Sequence, residues 1–444
     1  MATTSVYRTI ASSGSLTTWT FSCWVKRASV TSTNKILICN RNTAGSKVSK
    51  VQFNFTIEAI QFYDNNASDP QIDNKTNASY RDVGAWYHIV QVWDSTNGTP
   101  ADRARLWVNG VRVTDFSAEV TPASSQESPL LEANSPSIIA IGRDPVANDS
   151  YFDGEMSHVH LIDGTAYDAS TFGETDSTSG IWKIKTSPSV TYGTNGFFLK
   201  MEDRTNLDLD SGTNTFTFTT GGTLTATYDN PSNNFATWNP NYNSNTQTFS
   251  HGNTTLSGTG STNYAARSAS TLCMPSGKLY AEFKVLYGAS NMAIGVGNQE
   301  TDGTNAGADS NPTTAANAVC LASSNLYNNN VETSSYYTAA DGDIYGIAVD
   351  KDNDKVYFSQ NGTWLNSSDP AAGTNPASTG LTYEATFIGR SLAGSWFANF
   401  GNGYFATTAV SSANADDAGI GAFEYDVPAG YYALCTKNIK AYGG

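Results

Sequence analysis

The chain has 444 residues, too many for one β-sandwich and enough for two, each able to bury an adequate core without staples. It carries 40 Asp and Glu against 25 Lys and Arg, and a net charge of −15 repels phosphate backbones and anionic lipid surfaces, so nucleic acid is excluded as an expected partner. Charged residues make up only 15%, and Ser, Thr, Asn and Gly abound; this excludes a helical protein in favour of an all-β chain with many turns and polar outward faces.

The opening residues, Met1-Ala2-Thr3-Thr4-Ser5-Val6-Tyr7-Arg8, lack the basic and apolar segments of a secretory signal, which predicts folding in a cytoplasm. No apolar run is long enough to cross a bilayer, so membrane insertion is not expected. Cys23, Cys39, Cys273, Cys320 and Cys435 are odd in number, scattered and without a Cys-x-x-Cys pair, which argues against a disulfide framework.

Trp19, Phe21, Cys23 and Val25 alternate with Thr20, Ser22, Trp24 and Lys26, the pattern of a strand with one apolar face. The segments Trp86–Trp93 and Ala104–Val108 follow, and Asn109-Gly110 before Val111 and Val113 predicts a type I′ hairpin. Phe152-Asp153-Gly154-Glu155 then leads into Ser157-His158-Val159-His160-Leu161. In this order and spacing, the first 170 residues or so resemble the laminin-G or concanavalin A-like lectin family.

Between about Ala169 and Asn245, Gly196–Met201 reads as a strand and Thr215–Tyr228 as a hairpin around Gly221-Gly222. These strands either complete the first sandwich or pack between two. Four phrases here, Thr171-Phe172-Gly173-Glu174-Thr175-Asp176, Gly180-Ile181-Trp182-Lys183, Tyr192-Gly193-Thr194-Asn195-Gly196-Phe197 and Asn230-Pro231-Ser232-Asn233-Asn234-Phe235-Ala236-Thr237, resemble virion structural proteins of tailed bacteriophages, particularly marine ones. The ending Gly430–Ile439 is similar to the C-termini of the same group.

Further on, Gly277–Phe283 and Ala293–Gly297 read as strands. Ile344, Gly346 and Ala348 alternate with Tyr345, Ile347 and Val349 until the charged cluster Asp350–Lys355, after which Val356 and Phe358 resume and Asn361-Gly362 makes a second I′ turn. With Gly342-Asp343-Ile344-Tyr345-Gly346, Phe358-Ser359-Gln360-Asn361-Gly362 and Phe397-Ala398-Asn399-Phe400-Gly401, residues 250 to 435 resemble the SPRY family, whose members are two-sheet sandwiches that bind proteins through rim loops. The expected architecture is two tandem concanavalin A-like jelly-roll β-sandwiches: a lectin-like domain over 1–170, a β-rich bridging segment over 171–247, a SPRY-like sandwich over 248–436 and a tail over 437–444.

Concanavalin A-like folds include glucanases, and a retaining glycosidase needs two carboxylates about 5 Å apart. The nearest pattern, Glu174-Thr175-Asp176, meets Ser179 where a second Glu belongs, so no enzyme is expected. His158 and His160 have the spacing of metal ligands but no third partner, and are expected as structural polar residues on an outward face. Asp350–Asp354 fails as an EF-hand, with Lys355 at the sixth position and Asn361 at the twelfth. No cofactor is expected; Asp144, Asp149 and Asp153 occupy a loop where some laminin-G relatives hold calcium, and calcium stays open there.

Aromatic rings on polar surroundings are the usual sugar-stacking groups. Trp24 and Trp107, which point away from the apolar faces of their strands, and Tyr336, Tyr337 and Trp364, in loops or at strand ends, are the expected ligand-binding residues, together with the loop Asn298–Asn317. The competing account is that these aromatics pack beneath the bridging segment or against a neighbouring subunit. The resemblances imply a virion tail fibre or tail-associated appendage that contacts a host-surface glycan or protein and other virion proteins, as a homo-oligomer, trimers being common among phage fibres. A capsid-decorating or head-fibre protein is the alternative, and a polysaccharide-degrading enzyme a third.

Overall fold

Period-two alternation becomes antiparallel strand pairing along the chain. A computed structural model describes residues 3–443 except 31–32, 68–70, 244–246, 259, 261–267, 274, 299–311, 316 and 383. The protein is nearly all-β and falls into two units, residues 1–226 and 227–444.

The larger sheet of the first unit has eight strands, in spatial order Phe116–Ala118, Ile72–Thr76, Ala59–Asn66, Lys47–Asn54, Lys35–Arg41, Ile138–Ile141, Ser5–Thr9 and Thr219–Gly221. The smaller sheet has six: Phe197–Leu199, Gly154–Asp163, Thr18–Arg27, Trp86–Asp94, Ala104–Val108 and Val111–Arg112. The alternation in Thr18–Arg27 puts Trp19, Phe21, Cys23 and Val25 into the core between the sheets, opposite Val51, Phe53, Ile60 and Phe62. Trp19 lies 5.7 Å edge-on from Phe62 and 6.5 Å stacked from Trp93, all three buried. The expected I′ turn is present, with φ of +49° at Asn109 and +78° at Gly110.

The segment expected to bridge two domains divides between the units. Phe197–Leu199 extends the smaller sheet by pairing with Gly154–Asp163, whereas residues from Thr227 onward belong to the second unit. The expected hairpin around Gly221-Gly222 does not form. Instead Thr219–Gly221 pairs with the free edge of Ser5–Thr9, and Phe218 enters the core edge-on to Phe197 at 4.9 Å. A long-range edge and a core position outweigh the local turn preference of two glycines.

In the second unit, Lys278–Tyr287 lies between Ile344–Asp350 and Ser395–Asn399, and Met292–Gly297 of the facing sheet lies between Ala318–Ala322 and Thr386–Ser391. Trp238, Phe283, Phe387, Trp396 and Phe400 fill the space between them with centroids 5.5–6.0 Å apart. Gly389 is required by this packing, because a Cβ there would stand 2.8 Å from the Trp238 ring. The second I′ turn is also present, with φ of +50° at Asn361 and +79° at Gly362. The residues expected as a C-terminal tail form most of the helix Thr436–Tyr442.

The outward face of Lys278–Tyr287 is buried too. Tyr280, Ala348 and Tyr357 pack there with Phe235, Phe423 and Tyr431. Glu282, fully buried beside them, accepts hydrogen bonds from the backbone N–H of Glu424 (2.8 Å) and Tyr425 (2.8 Å), from the Tyr280 hydroxyl (3.2 Å) and from Asn399 Nδ2 (3.4 Å). Burial pushes its carboxyl up to about 7 although the four donors pull the other way. A buried carboxyl of this kind resembles a catalytic acid, but every donor around it is a structural group that it ties down. E282Q is expected to destabilise the protein by about 1–3 kcal/mol, since an amide N–H would then face a backbone N–H; urea unfolding measures it, and an unchanged midpoint would contradict the stapling role.

Candidate functional site

A sandwich core consumes one face of each sheet, so a binding surface has to be sought on the faces or rims that remain. The outward face of the six-stranded sheet is not available. Val90, Val92, Trp107, Ile162 and Phe198 on that face pack with Phe172, Tyr192 and Trp182 from the segment 164–192, which lies over it. Trp182 sits against Gly110 and Gly173, where a Cβ would fall 2.4 and 2.5 Å from its ring.

Trp24 and Trp107 therefore lie under cover, 3% and 8% exposed. Trp24 stacks on His88 at 4.7 Å, and the Arg105 guanidinium lies 5.5 Å from the Trp107 ring centroid. The Trp182 indole N–H donates to His88 Nδ1 at 3.0 Å, so the His88 proton resides on Nε2, which donates to Ser22 Oγ at 2.9 Å. His158 and His160, expected as structural polar residues on an outward face, are both buried, His160 against Phe172 and Tyr192 of the segment 164–192 and His158 against Phe198 and Glu202, and a β-bulge between Ser157 and His160 interrupts their strand. His160 stacks 3.9 Å from Phe198 and its Nδ1 bonds the Tyr192 hydroxyl at 3.0 Å. Burial lowers His88 to about 3 and His158 to about 4, and holds His160 well below the ordinary 6.5.

Tyr336, Tyr337 and Trp364 are half-buried, and the structure does not bring them together. Tyr337 meets the core edge-on at Tyr345 (5.5 Å), whereas Trp364 meets Tyr280 (6.4 Å) on the opposite face of the same sheet. Most of the expected loop Asn298–Asn317 lies outside the described residues. In the proposed calcium loop, Asp144 accepts from the N–H of Val146 and Ala147 at 2.9 Å each and from Arg41 at 2.8 Å, and Asp153 accepts from Ser29 at 2.9 Å. Among the described residues no three His, Cys, Asp or Glu side chains converge on a metal position.

The outward face of the eight-stranded sheet is built differently. Strand parity places Val51, Phe53, Ile60 and Phe62 in the core, and so puts Lys50, Gln52, Asn54, Gln61 and Tyr63 on the other side. Register then aligns Lys50 with Tyr63 and Asp73, and Gln52 with Gln61 and Lys75. Gln61 accepts from Gln52 Nε2 at 2.6 Å and from Asn54 Nδ2 at 2.9 Å and donates to Asp73, whose other oxygen takes Lys75 Nζ at 2.9 Å. Lys50 Nζ lies 5.4 Å over the half-buried Tyr63 ring. Burial, with Asp73 nearby, raises the Tyr63 hydroxyl, keeping it a neutral donor. Gln52, Gln61 and Asn54 are themselves buried, so what this face can offer a sugar is the half-buried Tyr63 ring flanked by the Lys50 ammonium and the fixed Asp73 carboxylate. The alternation of Lys47–Asn54 and Ala59–Asn66 carried this signal in the sequence, hidden by the weight given to tryptophan.

Residues 3–170 match the concanavalin A-like lectin/glucanases superfamily. This lectin-like region contains the whole Lys50–Tyr63–Asp73 face. Similar solved structures include the SPRY domain of human HERC1 (14% identity, 36% of this chain and 96% of that one, TM-score 0.29), a native heptameric SAP-like pentraxin from Limulus polyphemus (12%, 36% and 69%, 0.26) and the TRIM65 PSpry domain (13%, 36% and 89%, 0.27). No curated protein matches the chain.

The covered histidines of the lectin-like region give a pH dependence of stability. Their folded values lie below the unfolded one, so the unfolded chain binds more protons, and stability present above about pH 6.5 is lost as pH falls toward 4, by about 1.4 kcal/mol per pH unit for each histidine. Urea unfolding at pH 7, 6 and 5 measures the loss. H158Q is expected to flatten the slope by one proton, and an unchanged slope would contradict the burial of His158 as a neutral group.

Proposed function

We propose that the chain is a non-catalytic surface-binding component of a bacteriophage particle, a tail fibre or tail-associated appendage, whose lectin-like unit holds a host-surface glycan on the outward face of its eight-stranded sheet. The observation that carries this reading is the Gln52–Gln61–Asn54–Asp73–Lys75 network locked beside the Tyr63 ring. A ring and a carboxylate held in place by buried amides lose little rotamer entropy on binding, which is what a shallow sugar site requires. Asp73 is held by Gln61 and Lys75, an arrangement suited to accepting hydroxyl hydrogen bonds and not to shuttling a proton. The phage assignment is supported by the phrases in residues 171–237 and 430–439 that resemble virion proteins. In this reading the second unit contacts other virion proteins, and the assembled particle carries several copies.

Binding of the full chain to a panel of bacterial polysaccharides tests the glycan half. Y63A is expected to weaken the best interaction at least tenfold, about 1.4 kcal/mol, beyond any loss of stability from the ring's packing on Ile36, Cys39 and Val48, with native circular dichroism retained; a wild-type protein that binds none of the panel would overturn the reading. Electron microscopy of antibody-labelled particles tests the placement, with label expected on the tail and label on the head surface rejecting it in favour of capsid decoration.

A further inference from the structure

Beside the Tyr63 face, across the residues that follow Ile138–Ile141, lies an arginine with nothing to bind. Arg143 is 9% exposed, and its guanidinium stands 4.7 Å over the ring of Tyr7. Its Nε is buried without a hydrogen-bond partner, and among the described residues no carbonyl or carboxylate bonds the guanidinium. Arg41, on a strand between Tyr7 and Tyr63, is already engaged with Asp144 at 2.8 Å. Asp144, the residue next to Arg143, therefore leaves its neighbour unneutralised.

A second orphan sits on the same strand as Tyr7. Ser5 and Tyr7 are successive outward residues of Ser5–Thr9, Val6 between them pointing into the core. Ser5 Oγ is buried with no partner, and Gly142, which precedes Arg143, lies against Thr4 and Ser5, with a Cβ there 3.5 Å from the Thr4 carbonyl and 3.8 Å from Ser5 Cα. Gly221 on the neighbouring strand leaves Ser5 Oγ room, since a Cβ at that position would stand 2.8 Å from it. In a chain of net charge −15, an unpaired and mostly buried guanidinium costs desolvation and gains only a ring contact.

We infer that Arg143, with Ser5 and Tyr7, is an anion subsite of the binding face, receiving the oxyanion of an acidic sugar residue. The inference rests on the proposed glycan reading and adds the ligand's charge to it. A planar guanidinium stacked on a ring presents its two terminal nitrogens edge-on, the geometry that grips a carboxylate or sulfate with paired N–H donors. Ser5 supplies a hydroxyl donor, and the register Tyr7, Ala140, Cys39, Lys50, Tyr63 places the subsite and the Tyr63 ring on one row of the sheet, four strands apart. At the usual strand spacing that is roughly 19 Å, so the ligand is a polymer and not a single sugar.

The experiment compares binding of the full chain to polygalacturonate, which carries carboxylates, to dextran sulfate, which carries sulfates, and to neutral dextran. Wild type is expected to bind one or both acidic polymers at least tenfold more tightly than dextran, with the margin shrinking as salt is added. R143A is expected to abolish the margin. S5A is expected to reduce it severalfold without lowering the melting temperature, because the hydroxyl removed has no partner in the folded chain. R143K, which keeps a charge over Tyr7 but loses the planar fork, guards against a folding defect and is expected to lose most of the margin with native circular dichroism. Equal binding of acidic polymer by wild type and a folded R143A or R143K would overturn the subsite while leaving the glycan reading in place. Absence of binding to all three polymers by wild type, together with a blank polysaccharide panel, would overturn both.

Discussion

A β-sheet has two faces, and the core of a sandwich uses only one. What happens to the second face decides what such a protein can do. In the six-stranded sheet of the lectin-like unit the second face is apolar, and the segment 164–192 closes over Trp107, Ile162 and Phe198. In the second unit the sheet built on Lys278–Tyr287 meets the same end, with Phe423 and Tyr431 among the residues packed on Tyr280 and Tyr357. The eight-stranded sheet differs because its outward face sets the polar residues Lys50, Gln52, Asn54, Gln61, Asp73 and Lys75 beside a small buried apolar cluster of Ile36, Cys39 and Val48. The amides and Asp73 bond one another, and Tyr63 lies between this network and the apolar cluster.

The electrostatics follow the same division. His88 and His160 under the apolar cover, and His158 against Phe198, are held neutral by burial, and the hydrogen bonds of His88 to Ser22 and Trp182 fix its tautomer. Glu282 is tied to backbone N–H groups in the second unit. His88, His160 and Glu282 are groups that in another setting serve catalysis and here bond structural partners. Arg143 lies over the Tyr7 ring with its buried Nε unpaired among the described residues.

Much of the fold was legible in the sequence. Both Asn-Gly turns adopt the positive φ angles that their residue types favour, and the alternation of Thr18–Arg27 and Ile344–Asp350 predicts which side chains enter the cores. The Gly221-Gly222 hairpin was misjudged because strand edges far away in sequence compete for the same segment, and local turn chemistry carries no information about them. Trp24 and Trp107 were placed on the right face, yet periodicity does not disclose that residues 164–192 fold back over it. The Tyr63 face was overlooked for a related reason. Its residues are ordinary one by one, and become a site only when cross-strand register sets Lys50, Tyr63 and Asp73 side by side.

The central claim is that ligand lies on the outward face of the eight-stranded sheet and nowhere else on the chain. Backbone amide exchange of the full chain, followed with and without saturating polygalacturonate, tests it directly. Slowed exchange is expected within residues 47–76 and 138–151, with the remainder unchanged. Slowed exchange confined to residues 227–444, or to the segment 164–192, would contradict the account.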